Sequence, residues 1–80
     1  RNLRTYDQQY ARAQTIVEPL AQRYPRNPIF VLLLANLNAE LGRREEATVG
    51  FRAAGSIPIG DPVASSRVQQ VVKISLAALQ

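Results

Sequence analysis

Residues 27–55 read NPIFVLLLANLNAELGRREEATVGFRAAG, and their punctuation decides the fold. Asn27 is a strong helix N-cap type, because its side-chain oxygen can accept from a free amide of the first turn. Pro28 follows at the first helical position, where a missing N–H costs nothing. A largely apolar surface then runs around most of a helix from residue 28 to 41: Val31, Leu34, Ala35 and Leu41 give one face together with Asn38, and Leu32, Leu33 and Leu37 broaden it. A helix this apolar is expected to lie between neighbours. Gly42 reads as a left-handed C-terminal cap. The next helix is expected to start at Arg43 or Arg44, with Glu45 and Glu46 in the first turn, where the helix dipole favours carboxylates. Ala47, Phe51 and Ala54 are expected to face inward. Gly50 costs about 1 kcal/mol relative to alanine in a helix, so its expected use is close approach of a neighbour. Gly55 is read as the stop, and residues 56–60 as a linker.

Working outward, Asn27-Pro28 recurs thirty-four residues later as Asp61-Pro62. At the same spacing Ala13 falls on Ala47, Val17 on Phe51, Ile29 on Val63 and Leu34 on Val68, while Leu3, Leu37 and Val71 form a three-fold set. Self-similarity at this period is the mark of a helical repeat architecture. A helix is therefore expected from Pro62 to about Leu79, with Ala64, Val68, Val71, Val72, Ser75, Ala78 and Leu79 inward. Upstream, Tyr10, Ala13, Val17, Leu20 and Tyr24 form a helical stripe over residues 8–24. Pro19 interrupts it and removes one backbone bond, so a kink or restart is expected there.

Composition bounds the chemistry. Eighty residues with 46% apolar and 20% charged side chains describe one small globular unit. The longest apolar run, Ile29 to Ala35, is too short to span a bilayer. The chain opens at Arg1, which reads as an excised or processed piece of a longer protein, and its compartment is left open. Cysteine and histidine are both absent, so disulfides, thiolate chemistry and imidazole catalysis or ligation are excluded. No cofactor or metal is expected. The net charge is +4, and the arginines are scattered, as on solvated helix faces. The arginine-over-lysine bias and the lack of cysteine fit a bacterial source.

Taken together, Asn27-Pro28, Leu34-Ala35, Gly42, and Ala47, Phe51 and Ala54 resemble one tetratricopeptide repeat. Val31 stands where that family usually has a large aromatic residue, Asn38 where it usually has tyrosine, and Pro58 lies one residue earlier than Pro25 predicts. The resemblance implies an all-α fold of four to five helices: antiparallel helix pairs in a right-handed superhelical solenoid. Residues 1–80 would form a single domain, with 1–27 the end of a repeat, 28–60 a full repeat, and 61–80 a following or capping helix. It further implies a non-catalytic interaction or scaffold module that binds a protein or peptide on its concave face. Carried over by position, that face comprises Ile29, Leu32, Leu33 and Asn36, then Val63, Ser66, Gln70 and Lys73, and then Tyr6 and Asn2. Asn36 matches an asparagine that often grips a ligand backbone. Leu32 replaces the lysine of carboxylate-gripping members, which argues against recognition of a free C-terminal carboxylate.

Three other functions compete. A helix-turn-helix-like reading of the Gly42-Arg43-Arg44 turn would bind nucleic acid, but the segment after it carries Glu45, Glu46, Ala47 and Gly50 rather than base-reading side chains, so no nucleic-acid partner is expected. Catalysis would rest on carboxylates or serine. Adjacent Glu45 and Glu46 diverge on a helix, and Ser65-Ser66 has no partner base, so the chain is not expected to be an enzyme. Self-association, a homo-oligomer formed through exposed end helices, follows from the incomplete array.

Overall fold

The computed structural model describes the backbone of residues 3–79 and the side chains of residues 8–79. These residues form four α-helices and no strand: α1 (Leu3–Arg23), α2 (Pro28–Glu40), α3 (Arg44–Ser56) and α4 (Pro62–Ala78).

Local chemistry sets most of the boundaries. The side chains of Asn27 and Asp61 each accept from the amide two residues on, Ile29 N and Val63 N, at 3.0 Å in both cases. Pro28 and Pro62 open α2 and α4 directly after these caps. Gly42 takes φ +80°, and among the described residues no non-glycine residue has positive φ. It therefore closes the α2–α3 turn in the left-handed region that a side chain resists. Arg43 follows with no side-chain cap, and Glu45 and Glu46 occupy the first turn of α3.

Four expectations are corrected. The first helix begins at Leu3, not near residue 8, since neither glycine nor proline interrupts residues 3–18. Pro19 sits inside α1 without a restart, on an exposed face where water can solvate the carbonyl it leaves free. Gly55 does not stop α3, which continues to Ser56. Ile57 is extended (φ −75°, ψ 126°) because it precedes Pro58, whose ring disfavours helical backbone in the residue before it. The same rule ends α1 at Arg23, ahead of Tyr24-Pro25. On α4, Val71 and Ala78 are exposed, whereas Val72 is buried and Val68, Leu76 and Leu79 pack beside it.

Each helix packs on its neighbours in sequence: α1 on α2, α2 on α3, α3 on α4. The core gathers Ala35 of α2, Ala47, Phe51 and Ala54 of α3, and Val72 of α4. Phe51 is its largest fully buried side chain. Two glycines allow the close packing. A Cβ at Gly50 would lie 2.8 Å from Ala35 Cβ, so α2 and α3 approach more closely there than two side chains permit. A Cβ at Gly55 would meet Val72 Cγ1 at 3.3 Å, and Gln69 Nε2 donates to Gly55 O at 2.6 Å. Gly55 thus serves the docking of α4. Sequential packing leaves an elongated body of 41 × 29 × 20 Å, with a radius of gyration of 12.8 Å. That exceeds the roughly 11.6 Å expected of a compact chain of this length.

Candidate binding faces

Helix α2 lies between α1 and α3, so two of its faces remain available. The first carries Ile29, Leu33 and Asn36, spaced i, i+4 and i+7, and all three are exposed. Ile29 is 63% exposed, and its counterpart at the start of α4, Val63, is 62% exposed. Ser66, Gln70 and Lys73 are also exposed along α4. Leu32 departs from this set: it is half-buried and packs against the Phe51 cluster. Asn2 lies outside the described residues, as does the side chain of Tyr6.

The opposite face of α2 forms the floor of a groove of about 600 Å³ between α1 and α3. Ala21, Gln22 and Pro25 line it from the α1 side, Val31, Leu34, Ala35 and Asn38 from below, and Glu45, Glu46, Val49, Gly50 and Ala53 from α3. The sequence reading missed this groove because it assigned the floor residues to buried packing alone.

At one end of the groove three polar side chains interlock. Gln14 Nε2 donates to Asn38 Oδ1 at 2.8 Å, and Arg43 Nη1 donates to Gln14 Oε1 at 2.8 Å. The backbone N–H of Arg43 donates to Asn38 O at 2.8 Å. Gln14 and Asn38 are both buried, and a buried amide without partners costs about 1–3 kcal/mol. The network thus sets the register of α1 against the α2–α3 turn. One signal for it stood in the sequence: Asn38 is a polar residue on the inward face of an otherwise apolar helix.

No family model, curated protein or solved structure matches this chain.

Among the described residues, no three acidic side chains gather where they could hold a metal ion. No helix among them is long and apolar enough to cross a membrane. What both faces offer is apolar surface with hydrogen-bonding groups beside it.

Proposed function

We propose that the chain is a segment of a tetratricopeptide-like helical array and acts as a non-catalytic protein-interaction module. In this reading α2 and α3 are a full helix pair, α1 ends the preceding pair, and α4 opens the next or caps the array. The ligand, a peptide or helix of another protein, lies across the exposed faces of α2 and α4.

One observation carries the reading. Two helices thirty-four residues apart begin with the same capped Asx-Pro geometry and each present an aliphatic residue to solvent at the same step, Ile29 and Val63. Packing of each helix on its sequence neighbours supports it too, since repeat arrays are built from nearest-neighbour contacts. An exposed aliphatic residue at one step of each repeat makes a ladder for an extended or helical ligand. Asn36 and Gln70, also thirty-four apart and exposed, would hydrogen-bond its backbone.

Selection of a displayed peptide library on the chain, followed by titration of a recovered peptide, tests this. Ile29→Glu and Asn36→Ala should each weaken that peptide about tenfold or more, since 1.4 kcal/mol corresponds to a factor of ten. Unchanged affinity in both variants, with helicity retained, would remove this face from the proposal. Leu32 is a poor probe, because its replacement disturbs the core it packs against.

A further inference from the structure

The groove between α1 and α3 has a charge that the rest of the chain does not share. The chain carries ten basic residues and a net charge of +4, yet none of the residues lining the groove is basic. Its charged lining is Glu45 and Glu46. A smaller hollow that shares the lining residues Leu34, Asn38 and Glu46 with it adds Glu18. Arg43 also reaches that hollow, where its guanidinium donates to Gln14. Two of the chain's six acidic residues thus line the apolar trough itself, and a third, Glu18, lies in the adjoining hollow with Arg43. Val49, on its α3 wall, is 68% exposed, although valine gains by burial.

Helix α4 has the complementary character. Residues 62–79 contain Arg67 and Lys73 and no acidic residue. Val63, Arg67 and Ile74 fall on one stripe, at i, i+4 and i+11, and all are exposed, Ile74 at 69%. The stripe lies on the surface that remains after Val72 has docked against α3, so α4 can offer it without leaving its own core.

We propose that the groove of one copy receives the exposed α4 stripe of a second copy of this chain. Ile74 and Val63 would enter against Val31, Leu34 and Val49, and Arg67 would lie against Glu45 and Glu46. The two surfaces are different patches of one molecule, so the contact either is reciprocated in a two-fold dimer or repeats head-to-tail. In the head-to-tail case every added copy leaves one groove and one α4 stripe free, and the contact grows unless its rotation makes a ring. The inference shares Val63 on α4 with the proposed ligand ladder, so the two occupants would compete there; Val49→Arg alters the groove alone and Asn36→Ala the α2 face alone, so failure of either reading can be told from failure of the other.

Sedimentation equilibrium of the intact chain across concentrations up to about 1 mM, the range of weak association, tests it. The expected result is an average mass that rises with concentration to at least that of a dimer and falls at about 1 M salt, where charges are screened within ~3 Å. Val49→Arg and Ile74→Glu, both at exposed helical positions, should each weaken association about tenfold or more, while helicity by circular dichroism is unchanged. Glu46→Arg and Arg67→Glu should each weaken it, and the double variant should recover it. A monomer at the highest concentration overturns the proposal and leaves the groove to a partner other than this chain. So does association indifferent to both Val49→Arg and Ile74→Glu.

Discussion

The two sides of α2 are held by different physics. Toward α3 the contact is apolar and close: Ala35 sits against Gly50 with no room for a methyl group, and Ala47, Phe51 and Ala54 complete a dry cluster. Toward α1 the fixed points are polar: Gln14 reaches Asn38 and is held in turn by Arg43, while Tyr24 and Phe30 lean together at the far end with ring centroids 5.8 Å apart. Among the described residues, α1 adds nothing to the main core cluster. The α2–α3 pair gains its stability from packing volume, which is sensitive to every methyl group. The α1–α2 junction gains specificity of register from hydrogen bonds that add only about 1 kcal/mol net but are costly to leave half-made.

Breaking the apolar side should have the largest effect. Phe51→Ala empties the centre of the cluster and is expected to cost about 3–5 kcal/mol, a large part of the roughly 4–12 kcal/mol expected of 80 residues, so that the unfolded fraction rises. Loss of helical circular dichroism without denaturant would show it. A shift of the midpoint by less than the equivalent of about 1 kcal/mol would mean that α3 is not the centre of the fold.

Gly50→Val tests closeness rather than volume. The added side chain collides with Ala35, and overpacking of this kind costs about 1–3 kcal/mol in urea unfolding. Gly50→Ala is the sharper version: higher helix propensity favours it by about 1 kcal/mol, and the 2.8 Å contact opposes it. Net destabilisation is expected, relieved in part by Ala35→Gly. The coupling between the two substitutions in a double-mutant cycle measures the contact.

The polar side makes the opposite prediction about pairs. Asn38→Ala leaves the Gln14 amide buried without its acceptor, and about 1–3 kcal/mol should be lost. Replacing both partners by leucine should cost less than that single change, because no buried amide is then stranded and the exposed Arg43, which loses its acceptor, can turn to water. If the double variant were the less stable of the two, the junction would depend on its hydrogen bonds in a way the α2–α3 contact does not.

The smallest effects belong to the caps. Asn27→Ala and Asp61→Ala remove the same 3.0 Å bond from equivalent positions and should each cost about 1 kcal/mol. Equal losses in thermal unfolding would show that the two helix starts are energetically alike as well as geometrically.

These contrasts explain what could be read in advance. The starts of α2 and α4 were legible because an Asx cap and its proline act within two residues. Gly42 was legible because only a left-handed residue turns one helix into the next so tightly. Ala47, Phe51 and Ala54 followed from helical spacing. The end of α3 was misread because the glycine at 55 was given the role that Pro58 has. Its actual function, to let Val72 and Gln69 come close, appears only once α4 is in place. The inward face of α4 was drawn too wide, taking in Val71 and Ala78 beside Val68, Val72 and Leu79, because valine at 71 and at 72 has the same hydropathy and only the partner helix chooses between them. Of the expected α2 face, Ile29, Leu33 and Asn36 are exposed, while Leu32 is drawn to the core, a choice a leucine run cannot announce.

By itself, then, the sequence determined where three of the four helices start and that Phe51 faces inward, because those outcomes rest on hydrogen bonds and periodicities only a few residues long. Tertiary structure alone decided the pairing of Gln14 with Asn38 across twenty-four positions, the purpose of Gly55, and the existence of an acid-rimmed groove on a basic chain. Each of these depends on which surfaces meet when the helices pack, and no local preference encodes that.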